Sequence, residues 1–386
     1  MASDGTPFKI AVPDSKLENL QKKLELATFP DELEGVDWKY GVPSVDLRRL
    51  VARWKDGYDW RKEEKALNDS LQQFTKDIEV DEVHGTLNIH YVHHKSSIAG
   101  AIPLLFVHGW PGSFVEVQKV APLLTQSDSE EHPSFHVVAL SLPGFGFSQG
   151  TTKPGFSASR HAEIIRRLAQ MYGKKHVMAW HTNFPSAGAF PPTLAQPLLY
   201  LRDLLTPRTA AEKAGMERTN WFLTEGMGYN IEQSTQPQTL GYALADSPIG
   251  LLAWIYEKLH NWTDSYPWSD DEVLTWVSLY YFSRAGPAAS LRIYYEATKA
   301  GDRIRPASEK PTIPMGVSHF PKELRRAPKT WIMNVGNLVF AAEHTSGGHF
   351  AAHERPQDLA DDLRKMFGRG GAAYGVVPGK DGYSSS

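Results

Sequence analysis

A histidine set in glycines opens the chemistry of this chain. Gly347-Gly348-His349-Phe350 lies between a strand-like run and the last helix-like run. His349 could act there as a general base, and the glycines let its loop approach a site closely. Upstream, Phe320-Pro321-Lys322-Glu323 closes another strand-like run. A carboxylate at Glu323 could accept from the imidazole N–H and fix its tautomer. The plainer alternative is an exposed glutamate beside Arg325 and Arg326. Tyr229 in GYNIEQSTQPQTLGYAL and Tyr294 in LRIYYEA are phenols that could protonate a departing alkoxide. The chain has 15 tyrosines, however, and most tyrosines serve packing. His108-Gly109-Trp110-Pro111 sits where an apolar strand ends, and a backbone N–H at that position could bind a developing oxyanion. A simple tight turn is the other reading.

Two further patterns carry less. Gly146-Phe147-Ser148-Gln149-Gly150 satisfies G-x-S-x-G, but the following GTTKPGF cannot open the helix that a nucleophile elbow needs, which argues against Ser148 as a nucleophile. His90, His93 and His94 cluster on a strand-like segment, where odd spacing sends side chains to opposite faces and argues against a metal site.

The elements that must position these residues can be read from periodicity. Leucines at 17, 20, 24 and 26 predict a helix over 14–28, capped by Asp14 or Ser15, with further helices over 45–55 and 63–74. The first eighty residues therefore read as helical, ahead of any strand. Residues 87–93 alternate as a half-buried strand, and the apolar runs 102–107 and 135–142 suggest strands covered on both faces. A helix over 157–172, a short strand over 176–181, a helical and aromatic block over 189–301, strands over 313–320 and 330–335, and a helix over 356–367 complete the order. Strand–helix alternation that is interrupted by a helical block and then resumed describes an α/β sheet with an inserted helical lid. Its catalytic loops should lie beyond the C-terminal strand ends. The expected division is an N-terminal helical arm with the first strand or strands (1–95), the first part of the core (96–188), the lid (189–305), the second part of the core (306–369) and a mobile Gly-rich tail (370–386).

Composition bounds the function. The 386 residues are 41% hydrophobic and 22% charged, as in an ordinary folded protein, and the net charge of −3 argues against an electrostatic grip on nucleic acid. Without cysteine, disulfides, thiolate zinc sites, Fe–S clusters and a Cys nucleophile are excluded. The N-terminal MASDGTPFKI has no secretory pattern, and the apolar runs over 101–107 and 249–255 fall far short of the ~20 residues of a membrane helix. A cytoplasmic protein without a membrane span is the expectation.

The motifs together resemble an epoxide hydrolase of the microsomal type, within the α/β-hydrolase superfamily. WKYG at 38–41, YDWR at 58–61, HGWPGSF at 108–114, PGFGFS at 143–148, QSTQPQT at 233–239, SPIGLLAWI at 247–255, FPKE at 320–323 and GGHFAAHERP at 347–356 carry the resemblance across almost the whole chain. It implies that an Asp opens an epoxide to a glycol-monoester and that the lid tyrosines Tyr229 and Tyr294 protonate the ring oxygen. His349, oriented by Glu323, then activates water to release a vicinal diol, with the Trp110 N–H helping to hold the oxyanion. No cofactor or metal is implied. The partner is a small-molecule epoxide, apolar or aromatic to suit Trp254, Tyr256, Trp262 and Trp276, and a homodimer is the assembly considered.

One part of the family pattern is missing. The nucleophile turn, G-G-D-[WI]-G, belongs between 157 and 191, yet no Asp or Glu occurs from 164 to 202. Residues 172–175 resemble the segment ahead of the nucleophile strand, and residues 176–185 resemble the segment beyond the nucleophile helix. A strand, turn and helix of about 20–25 residues would then be absent. The 176–180 segment HVMAW could move into the vacated slot and place His181-Thr182-Asn183 at the elbow. Three readings are open: an enzyme in which His349 and Glu323 drive direct water attack, a non-catalytic relative that binds an apolar ligand or a partner, or a shortened product of a gene whose full-length form is the enzyme.

Overall fold

The computed structural model describes residues 5–126, 131–171, 177–185, 189–302 and 310–384. In chain order the strands are β1 (Thr6–Phe8), β2 (Gln73–Asp81), β3 (Gly85–His94), β4 (Ile102–Val107), β5 (Phe135–Leu140), β6 (Trp180–Thr182), β7 (Pro314–His319) and β8 (Asn337–Glu343). The helices are α1 (Asp14–Glu25), α2 (Ser44–Asp56), α3 (Trp60–Ser70), α4 (Val117–Thr125), α5 (Ala158–Met171), α6 (Pro197–Leu205), α7 (Ala210–Trp221), α8 (Gly228–Thr235), α9 (Pro237–Asp246), α10 (Pro248–Asn261), α11 (Asp270–Tyr281), α12 (Arg292–Lys299), α13 (Lys329–Ile332), α14 (Ala351–Glu354) and α15 (Pro356–Phe367). Helices α6 to α12 are inserted between β6 and β7 as the lid.

The strands form two sheets. One runs β1-β2-β3-β5-β4, antiparallel except for the β4–β5 pair, and the other is the parallel β6-β7-β8. Among the described residues β4 pairs only with β5, and β6 only with β7. Of HVMAW, expected in a slot beside β4, His176 lies outside the described residues, and Trp180 pairs, with His181 and Thr182, to Met315, Gly316 and Val317 of β7. β4 is apolar throughout, the pattern of an interior strand, yet it ends its sheet and Val107 is 41% exposed.

Several sequence expectations are corrected. β1 and β2 break the supposedly all-helical first eighty residues, and the helix expected over 63–74 ends at Ser70. The cause is a change of period: Ile78 and Val80 are buried in alternation as β2 pairs with β3. α1 is preceded by Pro13 with no side-chain cap, and Asp14 instead sits in its first turn. The strand expected over 330–335 is replaced by α13 and its turn, where Trp331 and Ile332 N–H groups donate to Pro328 O, and β8 comes later. Residues Tyr172 to His176, where the expected helix ends and the expected short strand begins, lie outside the described residues. The tail from 370, expected to be mobile, buries Ala373, Val377 and Tyr383, and Gly382 O accepts from Ser134 N at 2.7 Å. Its glycines shape turns that lay the aromatic ring against the core.

Local chemistry explains the lid and arm. Ser247 and Pro248 start α10, with Ser247 Oγ accepting from Gly250 N at 3.0 Å. Ser269 and Glu272 form a reciprocal capping box on α11. The arm grips the lid at this end: Arg53 makes a two-pronged bond to Asp271 at 2.8 Å, Arg49 pairs with Asp270, and Tyr58 Oη meets Thr275 Oγ1 at 3.1 Å. No helix among the described residues is long and apolar enough to cross a membrane.

Candidate active site

Glu323 lies just beyond β7 and His349 just beyond β8, so adjacent parallel strands deliver both to one end of their sheet. The loops are joined directly, with Lys322 N donating to Gly347 O at 3.0 Å. Gly347 adopts φ +112°, and a side chain at Gly348 would meet Trp262 O at 2.3 Å. That same carbonyl accepts the His349 N–H at 2.7 Å, which holds the histidine loop against α10.

His349 Nδ1 and Glu323 Oε1 are 2.7 Å apart. Glu323 is 1% exposed and accepts two further bonds, from Leu324 N to Oε1 at 2.6 Å and from Asn183 Nδ2 to Oε2 at 3.1 Å. Asn183 Nδ2 also donates to His349 O at 3.0 Å, so it ties the carboxylate to the histidine backbone. Burial depresses the His349 pKa, but the charge and hydrogen bond of Glu323, with help from Glu116, outweigh it and leave the imidazole above its ordinary value. With Nδ1 committed to a carboxylate, Nε2 is the basic nitrogen of the neutral ring.

The lid brings the two tyrosines to the same cluster. Tyr229 on α8 stacks on Trp110 at 5.0 Å, and Tyr294 on α12 meets both rings, at 5.8 Å from Tyr229 and 6.0 Å from Trp110. Trp262 links the cluster to the histidine, lying 5.1 Å from Tyr229 and edge-on to His349 at 5.2 Å. The Trp110–Pro111 bond is cis, and α11 pins the loop through Trp276 Nε1 to Pro111 O at 2.7 Å and Tyr280 Oη to Gly112 O at 2.6 Å.

Other polar candidates are structural. Ser148 is fully buried, accepts from His90 N at 2.8 Å and donates to Ser141 O at 2.7 Å. His90 is spent on Ser141 Oγ at 2.9 Å and Gln73 Oε1 at 3.0 Å. His108 Nε2 accepts from Leu142 N at 3.1 Å, and burial pushes its pKa down to about 4.

Sequence reasoning missed Glu116, Arg218 and Lys258 as residues of this neighbourhood, whereas Asn183 was considered only as part of a displaced elbow. Glu116 is 7% exposed, and burial lifts its carboxyl to about 7 despite the favourable field of His349. Its signal was visible in Ser113-x-x-Glu116, a capping box pattern directly after HGWPG. Lys258 lies 5.1 Å from the Tyr229 ring, 5.2 Å from Trp254 and 5.9 Å from Trp262, and the four-residue spacing of 254 and 258 on α10 and 262 at its C-cap encodes that stack. Arg218 donates to Asn261 O at 2.7 Å, and burial lowers its pKa against the opposing pull of Glu323.

Comparison with known proteins identifies the family. The family described as "Epoxide hydrolase N terminus" matches residues 5–117, and "alpha/beta hydrolase fold" matches 102–180. A provisionally named epoxide hydrolase of Stigmatella aurantiaca is 40% identical over 383 residues, covering 94% of this chain and 84% of that protein. Epoxide hydrolase 1 of Sus scrofa is 32% identical over 412 residues, covering 94% and 88%. The solved epoxide hydrolase of Aspergillus niger superposes with a TM-score of 0.80 at 33% identity, covering 94% of this chain and 95% of that one. The chain, built on an α/β-hydrolase fold with an inserted helical lid, belongs to the epoxide hydrolase family.

Proposed function

We propose that this chain hydrolyses an apolar or aromatic epoxide to a vicinal diol by direct attack of water. The observation that carries this reading is the 2.7 Å contact of His349 Nδ1 with the buried Glu323 carboxylate, beside an aromatic cluster holding two phenols. His349 Nε2 takes a proton from water as the water oxygen bonds to an epoxide carbon. The C–O bond breaks, and the ring oxygen receives a proton from Tyr229 or Tyr294. The imidazolium then returns its proton to the tyrosinate. The Trp110 N–H supports charge on the oxygen. No metal or cofactor enters, the setting is cytoplasmic, no nucleic acid takes part, and a homodimer is the assembly in view.

A covalent ester route lacks its carboxylate, because residues 164–202 contain no Asp or Glu. The outer edge of β4, unpaired among the described residues, favours a second reading, a catalytically impaired or shortened relative that retains ligand binding. A single-turnover reaction of an aryl epoxide with excess protein in ¹⁸O-labelled water separates these. Label in the first diol is the expected result. Unlabelled first diol would establish a protein carboxylate as nucleophile, and bound but unconverted epoxide would establish the second reading.

A further inference from the structure

Lys258 has no part in the reaction described above, yet it is set into the aromatic cluster of the site. Its side chain is buried, and its ammonium stands within cation–π reach of three rings: Tyr229 at 5.1 Å, Trp254 at 5.2 Å and Trp262 at 5.9 Å. Its carboxylate partner is Glu257, the preceding residue, whose other oxygen accepts from Asn261 Nδ2 at 3.1 Å. That carboxylate is divided between two donors and stands partly in solvent, while the ammonium is enclosed. Packing alone would be better served by an apolar chain, because enclosing an ammonium sacrifices its hydration. Burial draws the Lys258 pKa down against the pull of Glu257.

We propose that Lys258 is a positioning residue of the proton donor: its ammonium, held over the Tyr229 ring, stabilises the tyrosinate left when Tyr229 protonates the epoxide oxygen. The charge change on the phenol favours this contact. A neutral phenol offers the ammonium only the quadrupole of its ring, whereas the tyrosinate offers a full negative charge. The attraction therefore grows as the proton leaves. α10 supplies the geometry. Trp254, Lys258 and the C-cap residue Trp262 fall at four-residue spacing on one face, and that face meets Tyr229 of α8. Tyr229 is held to this contact by Trp110, which stacks on it at 5.0 Å with the ring planes 10° apart, and by Trp262 at 5.1 Å. Tyr294 also faces the ring, edge-on at 5.8 Å.

The competing account is that Lys258 only fills space, its stem covering apolar rings and its head neutralising Glu257. Lys258→Met keeps the bulk of the stem without the charge, and Lys258→Arg keeps a charge that also stacks on aromatic faces. The inference rests on Tyr229 as an acid of the proposed reaction, but its readout does not need turnover. A polyfluorinated tyrosine, acidic enough to ionise while Lys258 keeps its proton, is installed at position 229 of the full chain. Its fluorine resonance is titrated by NMR. In Lys258→Met the midpoint should rise by about half a unit or more, as expected for loss of a nearby positive charge in a partly desolvated site. Lys258→Arg should bring it back toward the wild-type value. The rise should persist when Glu257→Gln is combined with Lys258→Met, which leaves no stranded carboxylate. An unchanged or lowered midpoint in Lys258→Met, a rise shared in full by Lys258→Arg, or a rise lost in the double variant overturns the proposal. Should Lys258→Met fail to fold, Lys258→Gln, neutral and polar, is judged by the same criterion. A raised midpoint in a protein that forms no diol would uphold the contact while removing the proposed reaction.

Discussion

Glu323→Gln is isosteric, yet the site cannot absorb it. The carboxylate accepts from three donors, His349 Nδ1 and Leu324 N at Oε1 and Asn183 Nδ2 at Oε2. A glutamine has one acceptor oxygen. With that oxygen at the Oε1 position, its NH₂ confronts the Asn183 NH₂. Rotating the Asn183 amide relieves the clash but turns its oxygen toward His349 O, the carbonyl it now serves at 3.0 Å. At least one buried group is left unsatisfied, at about 1–3 kcal/mol, and the charge-assisted bond to His349, worth about 1.5–3 kcal/mol, is weakened. The second figure corresponds to a fall of roughly one to two units in the His349 pKa. The sign comes from the folded-state shift: a raised histidine pKa stabilises the fold below the unfolded value of 6.5 and loses that contribution as pH rises through the folded value. The stability gap between wild type and Glu323→Gln should therefore be wider at pH 5.5 than at pH 8.5. Urea unfolding at both pH values and NMR titration of His349 read the two effects. A gap that does not widen in acid, or a His349 midpoint that stays put, would refute the reasoning.

Two further outcomes are expected. Lys258 is 4% exposed with Glu257 as its carboxylate partner, so Glu257→Gln, which strands a buried ammonium, should lower the urea midpoint more than Lys258→Met, which substitutes an apolar chain and leaves stability within about 1 kcal/mol. Gly348→Ala places a methyl group 2.3 Å from Trp262 O, and thermal unfolding should show a loss of about 1–3 kcal/mol as the histidine loop shifts off α10.

The Glu323–His349 pair was legible because both residues follow strands and stand in loops rich in Gly or Pro, and such loops leave a local mark. Tyr229 and Tyr294 were legible only through the resemblance, since phenols alone do not distinguish a site from a core. The lid was legible from a long block that reads mostly as helix and is rich in aromatics. β1 is too short to register, and β2 was masked by the amphipathic helices before it. In β8, NLVFAAE carries its pattern without a turn signal, while TWIMNV just before it looked more strand-like and was folded into a turn by Pro328. Lys258 was overlooked because a lysine among aromatics reads as a solvated interruption, and only the packed helix shows the ammonium enclosed.

The break between β4 and β6 has a mechanical consequence. The Trp110 loop hangs from one sheet, and Glu323 and His349 from the other. No backbone ladder among the described residues runs between them, so the span across the site is borne by side chains: Trp110 against Trp262, whose carbonyl accepts the His349 N–H, and Trp276, which reaches Pro111 O on one side and the Phe350 ring on the other. Such a joint is soft where each sheet is stiff. Partial opening can spread the Trp110 loop from His349 while both sheets keep their hydrogen bonds, a sub-global event of lower free energy than unfolding. On mild heating the site should come apart first, its fluorescence and ligand affinity fading while the far-ultraviolet signal of the strands and helices is still intact.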